Sequence, residues 1–367
     1  MKRRTFSRSL LSSLGLLTLG DSALFAHAGK KYLPGNEWSA RGRRLGISHQ
    51  RPGELNEKHF NYLRQMGVEY LEIRIPSEQA SFDTLKTIKA RVEDAGLNVF
   101  EIMLSDKYNC KDIALGTGRR KEEMKFFHNF LRDLGKAGID TTTYAWHTGG
   151  AYNPGTPMVR GCQARLFELE EARKMPNLYD RTYSDAEMWD NYAYFIKHTL
   201  PVAEDAGVRL QLHPNDPPVT HQGVARIFRS MDAFRQAMEI AGHSPMSGIL
   251  LCTGTCGEMT GPDGKGEDIL KGIHDLGSRG HIYQVHFRNV SSPMPDFYET
   301  MPDNGYMNMY RIMKALAEVN FNGMVVPDHV PRMVDSEACE LAGEAYIFGY
   351  IKALIQAVDT ELGSDQV

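Results

Sequence analysis

Only five of the 367 residues are cysteine, an odd and scattered set (Cys110, Cys162, Cys252, Cys256 and Cys339), which excludes a disulfide framework. Apolar runs are short: none approaches the roughly 20 residues needed to cross a bilayer. There is no surplus of positive charge. Lys and Arg number 42 against 46 Asp and Glu, for a net charge of −4, and no basic stripe marks the chain as a nucleic-acid binder. Also missing is a GxGxxG turn after the first candidate strand, which argues against a doubly wound dinucleotide-binding sheet. What remains is an ordinary globular composition, 42% hydrophobic and 24% charged, with no repeat of constant period.

Residues 1–28 stand apart from the rest. A basic start (Lys2, Arg3, Arg4, Arg8) precedes an apolar stretch from Leu10 to Leu19, and Ala26-His27-Ala28 offers a small-x-small cleavage site. The Arg3-Arg4 pair followed by Thr5-Phe6 resembles a twin-arginine export signal, an address read by the export machinery rather than an anchor. The expectation is therefore a signal peptide over 1–28, export to the periplasm, and a folded domain over 29–367 without a membrane span.

That domain alternates short β-rich runs with helical patterns. Candidate strands lie at 43–48, 70–75, 98–104, 141–147, 209–214, 248–254, 283–289 and 323–328. Helical spacing appears over Leu55–Met66, Phe82–Ala95, Glu122–Leu134, Ser184–Ala206, Met307–Val319 and Glu337–Val358. Several of these close on a glycine (Gly67, Gly96, Gly138, Gly207), as a left-handed helix stop requires. Eight βα units predict an α/β fold, a single-domain (β/α)8 TIM barrel with extended βα loops. The longest connections, 148–183 and 255–268, follow strand C-termini and read as flexible loops on the face where barrel enzymes bind substrate.

Four metal-ligating residue types end four consecutive strands: His213 in LQLHP, Cys252 in ILLCTG, His286 in QVHFRN and Asp328 in VVPDHV. Singly, each has a bland reading as a core histidine or a small buried thiol. Together, on neighbouring strands whose C-termini converge, they predict a two-nitrogen, one-sulfur, one-oxygen metal site. Thiolate and imidazole suit Zn2+ or Fe2+, whereas the carboxylate and a hydroxy-acid substrate suit Mn2+. His147 closes the fourth candidate strand and is a substrate-contact candidate, and Asp216 lies near His213.

These stretches also carry a resemblance. LHPNDPP with GVARIF, CTGT and GEM, VHFRNV, PDHVPRM and GEAYIFGYIKALI, together with the upstream VRGCQAR, resemble the mannonate dehydratase family over about residues 158–357. The resemblance implies a xylose-isomerase-like barrel that dehydrates the sugar acid D-mannonate to 2-keto-3-deoxygluconate with Mn2+ or Fe2+, Zn2+ being less suited. Carried across motif by motif, the metal positions fall on the same four residues. His329 matches the family's catalytic acid/base, Tyr346 a tyrosine of the chemistry, and Arg288 a stretch that contacts substrate. Two departures stand out: Asn215 replaces a family aspartate, and Gly305-Tyr306-Met307-Asn308 lacks two carboxylates of the family pattern.

The chemistry explains the residue types. Removing water from a 2,3-dihydroxy acid needs a cation on the carboxylate and neighbouring hydroxyl, a base for the C2 proton and an acid for the leaving hydroxyl. His329 and Tyr346 are the proton-transfer candidates, in either order, and Arg288 is the candidate carboxylate fork. A sugar isomerase or epimerase on the same barrel, or a non-catalytic exported sugar-acid binder, remains open at this point. So do monomer and homodimer.

Overall fold

The computed structural model describes residues 43–148, 154–261, 263–334 and 339–363. The export segment expected over 1–28 lies outside them. The chain divides into Met1–Pro34 and Gly35–Val367, and the barrel belongs to the second unit.

Eight parallel strands form it: β1 Arg44–Gln50, β2 Tyr70–Ile75, β3 Asn98–Leu104, β4 Thr141–Ala145, β5 Arg209–His213, β6 Ser247–Cys252, β7 Ile282–Phe287 and β8 Met324–Pro327. Their hydrogen-bonded order is 3-2-1-8-7-6-5-4, every pairing parallel. The strands thus curl into a nearly closed barrel whose seam falls between β3 and β4. Across that seam the Thr143 hydroxyl donates to Glu101 Oε2 at 2.6 Å.

Eight helices coat the strands: α1 Glu57–Met66, α2 Phe82–Asp94, α3 Arg120–Lys136, α4 Asp185–Ala206, α5 Met231–Ile240, α6 Ile269–Gly277, α7 Met309–Glu318 and α8 Cys339–Glu361. Their starts are written in side chains. Asn56, Ser81, Ser184, Ser230, Asp268 and Asn308 each accept a backbone N–H of the first turn. Gly67 and Gly207 end α1 and α4 at φ 76° and 66°, a left-handed turn that a Cβ would strain. Helices α5 and α6 were not among the helical patterns expected from the sequence.

The apolar core lies between strands and helices. Leu71 and Ile73 of β2, Leu210 and Leu212 of β5, Ile249 and Leu251 of β6, and Val285 and Phe287 of β7 pack into it, each fully buried. Residues between them turn into the lumen, which is polar: Gln284 Nε2 donates to Glu72 Oε2 at 2.8 Å, and Gln211 Nε2 reaches both Gln284 Oε1 and Thr143 Oγ1. Both layers follow from the period-2 alternation of a strand covered on two sides.

The long loops are less loose than their composition suggests. After β4, Met158–Val159 pairs with Cys162–Gln163, which pairs with Arg332–Met333 after β8. Leu166–Glu168 pairs with Asp296–Thr300 after β7, and Phe167 stacks on Phe297 at 5.4 Å. The post-β4 loop therefore ties the β7 and β8 loops together over the rim. The flexible loop expected from Thr255 onward begins instead as a buried helix, Thr253–Glu258. Its first glycine has a packing reason, for a Cβ on Gly254 would lie 2.4 Å from Arg288 Cγ.

Candidate active site

His213, Cys252 and His286 end or nearly end β5, β6 and β7, and their ligand atoms all lie within 4.8 Å of one another. Asp328 follows β8 immediately. Its Oδ2 stands 3.4 Å from His286 Nδ1 and 3.7 Å from Cys252 Sγ. Parallel strands in register carry these side chains to one rim, since His286 pairs with Cys252 on one side and with Val326 on the other.

Each ligand type is oriented from behind. His213 Nδ1 contacts the Pro214 carbonyl at 2.7 Å, which assigns the ring proton there and leaves Nε2 as a free lone pair. His286 Nε2 donates to Glu72 Oε2 at 3.1 Å, so its Nδ1 faces Asp328. Two buried atoms at this centre, His286 Nδ1 and Asp328 Oδ1, make no hydrogen bond among the described residues. Buried polar atoms are nearly always partnered, so an orphaned pair beside a thiol and a second imidazole is what a cation site leaves behind. The donor set fits a divalent transition metal.

Electrostatics point the same way. Burial opposes ionisation of Cys252, yet Arg288 first and then the neighbouring imidazoles of His213 and His286 hold its thiol well below the usual range. Burial likewise opposes charge on Asp328 and Glu72, but the surrounding imidazoles keep both carboxyls ionised. These anions raise His286 well above an ordinary histidine despite its burial. The centre thus draws a proton to where a cation would otherwise balance it.

Two contributors escaped the sequence reading: His49 on β1 and Glu72 on β2. His49, Glu72 and His286 form a second group of metal-ligand type sharing His286. The signal for Glu72 was present. A charged residue within YLEIRI, on a strand covered on both faces, has nowhere to go but the lumen. His49 carries no such mark in its local sequence.

His329 lies directly behind the ligand carboxylate, Nε2 being 3.8 Å from Asp328 Oδ1 and Nδ1 2.7 Å from Glu299 Oε1. Burial lowers its basicity, but Asp328 and Glu299 outweigh it and raise the imidazole above its ordinary value. Arg165, on the loop tied over the rim, reaches the same Glu299 oxygen at 2.6 Å and also touches His329.

Arg288 is held by protein groups: Nε donates to Asp328 at 3.1 Å, Nη1 to Glu258 at 2.8 Å, and Nη2 to Asp216 and Thr255 at 2.9 Å each. Buried carboxylates need a counter-charge, and this guanidinium supplies it. Arg165, with a side chain 36% exposed, is the cation nearer solvent. Tyr346, on α8, is 41% exposed, with the Arg160 guanidinium 5.4 Å above its ring. His147 is half-buried, with its ring 6.2 Å from that of His213 and 5.6 Å from Tyr108. Burial first, then the nearby Arg226, pushes its basicity well down.

The two sequence departures have local explanations. Asn215 is buried and accepts from the Phe228 backbone N–H at 2.8 Å, a contact an amide makes without adding another buried charge. Asn308 caps α7 through Arg311 N at 3.1 Å, a task asparagine performs as well as aspartate.

A polar lumen, orphaned donors at the C-terminal mouth and tied loops above them define a (β/α)8 barrel of enzyme type. Its family follows from comparison. The profile of the D-mannonate dehydratase (UxuA) family matches residues 158–363, more than half of the chain. The chain belongs to the mannonate dehydratase family, whose members are hydro-lyases. A mannonate dehydratase of Endomicrobium trichonymphae is 25% identical over 340 residues, covering 79% of this chain and 90% of that one. The crystal structure of mannonate dehydratase from Streptococcus suis serotype 2 superposes with a TM-score of 0.76 at 24% identity, covering 88% of this chain and 95% of that one. A D-psicose 3-epimerase from Clostridium cellulolyticum H10 shares the fold at a TM-score of 0.58 and 15% identity, over 85% and 99% of the two chains.

Proposed function

We propose that this chain dehydrates D-mannonate to 2-keto-3-deoxy-D-gluconate and water, with Mn2+ or Fe2+ held by His213, Cys252, His286 and Asp328. The supporting observation is the convergence of those four side chains, two of their atoms unpartnered, at the rim of a chain that belongs to the mannonate dehydratase family. A bound divalent cation would stabilise the negative charge that develops beside the substrate carboxylate. The carboxylate in this donor set, together with a hydroxy-acid substrate, would suit Mn2+ or Fe2+ better than Zn2+.

The remaining work falls to the chain. Glu72 and the Pro214 carbonyl fix the ligand imidazoles. Arg288 neutralises the buried acids and holds Asp328. His329, steadied by Glu299, exchanges a proton with the substrate near Asp328. Arg165 is placed to meet the substrate carboxylate from the tied loop. We assign residues 1–28 to export through the twin-arginine machinery, on their paired arginines, apolar stretch and small-x-small end.

The test is to strip the purified protein with a chelator, restore Mn2+, Fe2+ or Zn2+ separately, and incubate each form with D-mannonate. Formation of a 2-keto-3-deoxy acid that depends on Mn2+ or Fe2+ is the expected result. Epimerised acid without loss of water, or turnover untouched by chelation, overturns the assignment.

A further inference from the structure

Dehydration needs two proton-transfer groups, and the expected partner of His329, Tyr346, is exposed on α8. The cavity beside Asp328 offers another group. It encloses about 300 Å3, and its walls include His49, Asp328, His329 and Glu344. We propose that His49 is the second proton-transfer group of this reaction, acting opposite His329 across the carboxylate of Asp328. The inference rests on the dehydratase reading above and names a residue that neither the family's motifs nor the sequence picked out.

Three observations carry it. The two imidazoles flank one oxygen: His49 Nε2 lies 4.0 Å and His329 Nε2 3.8 Å from Asp328 Oδ1, itself without a hydrogen bond. His49 Nε2 is buried and makes no hydrogen bond among the described residues, its nearest carboxylate oxygen being Glu72 Oε1 at 3.4 Å, while its side chain is 31% exposed and lines the cavity. Both histidines also sit in the left-handed region, at φ 60° and 44°. Non-glycine residues hold that conformation at some cost and cluster where geometry serves a site. Here the left-handed turns come at the ends of adjacent strands, β1 and β8, and bring both rings to one cavity.

The step balances with these two groups alone. One imidazole takes the C2 proton, the electron pair forms the C2–C3 double bond, and the C3–O bond breaks. The other imidazolium gives its proton to the departing hydroxyl, which leaves as water. The enol then ketonises, its hydroxyl proton leaving and C3 gaining one, to give the 2-keto-3-deoxy acid.

The test uses the full-length metal-loaded protein and two substitutions that suit a positive φ. His49→Gly keeps the backbone and removes the ring, and His49→Asn keeps a polar group that cannot relay a proton. Both are expected to lower kcat at least 100-fold, with KM within threefold of the parent and metal content unchanged. Added imidazole should restore part of the His49→Gly rate. In D2O, one of the His49→Gly and His329→Gly proteins should still exchange the C2 hydrogen and the other should not, since the roles differ. Turnover within threefold of the parent, loss of metal in step with activity (which would make His49 a ligand alongside Glu72 and His286), or no rescue by imidazole overturns the proposal. A parent chain inactive on D-mannonate and other aldonic acids sinks the dehydratase reading itself, whereas an active parent with active His49 variants sinks only this inference.

Discussion

Both mouths of the barrel carry charged groups and use them differently. At the N-terminal mouth a cavity of about 830 Å3, larger than that at the C-terminal rim, is lined by Arg44, Lys89, Glu93, Asp140 and Arg209 among others. Its charges are half-exposed and closed on one another, Arg209 on Asp140 at 3.1 Å, Arg44 on Glu69 at 3.6 Å and Lys89 on Glu93. At the C-terminal rim the charges are buried, and Asp328 Oδ1, Glu258 Oε2, His286 Nδ1 and His49 Nε2 are left without hydrogen bonds among the described residues. Size does not mark the site. A mouth whose polar atoms are satisfied has nothing to offer a ligand, whereas one that buries unsatisfied donors and acceptors is waiting for a partner.

The comparison breaks most decisively through the metal ligands. Cys252→Ser and His213→Ala should each lower bound Mn2+ or Fe2+, and the rate should fall at least about 1,000-fold, on the scale of lost Lewis-acid stabilisation. Elemental analysis with an assay of 2-keto-3-deoxy acid measures both. Full metal occupancy and full activity in both variants would remove the distinction between the mouths.

Arg288 sharpens the same contrast through stability. Replacing it by methionine keeps much of the volume but leaves Asp216, Glu258 and Asp328 without their shared cation. Removing one partner of a buried charged set costs about 3–5 kcal/mol, which chemical denaturation at pH 7 resolves. A loss below about 1 kcal/mol would mean the guanidinium is free for a ligand, as the family resemblance implied.

Much of this was legible along the chain, for definite reasons. Strands covered on both faces read as apolar runs, so β5 to β8 and the chemistry at their ends could be placed within a residue or two. Helix α6 could not be read from propensity, because Gly272 and Gly277 count against it. Gly272 is instead required by packing, since a Cβ there would meet Met231 Sδ at 2.6 Å. Helix α5, by contrast, has its Ser230 cap and buried Phe234 and Met238 in plain view. The carboxylate cage of Arg288 is a long-range arrangement drawn from Asp216, Glu258 and Asp328, and no local pattern announces it.

The lumen beneath the rim supplies a test by pH. Burial, and then the neighbouring Glu72, raise the Glu101 carboxyl from 4.5 to about 8. The folded chain therefore holds a proton that the unfolded chain has already lost above pH 4.5. Its contribution is fully present below pH 4.5 and is lost as pH rises through about 8. Glu101→Gln cannot titrate, so its stability relative to the parent should improve between pH 5 and pH 8 by about 3–4 kcal/mol, measured by urea midpoints at the two pH values. A constant difference between the two proteins would show that Glu101 is ionised in the lumen at neutral pH.

The smallest effect is expected at the opposite mouth, and it is the control on which the contrast depends. Lys89 and Glu93 are i and i+4 on α2, both partly exposed, and such pairs contribute about 0.3–0.5 kcal/mol. Lys89→Gln should shift the urea midpoint by no more than that, should lose most of even this small effect in 1 M salt, and should leave turnover of D-mannonate unchanged. The larger cavity gives this substitution every opportunity to matter, since Lys89 lines it. A fall in kcat of tenfold or more would mean that the closed ion pairs of the N-terminal mouth are coupled to the reaction, and that satisfied surface charge is no guide to which end of this barrel works.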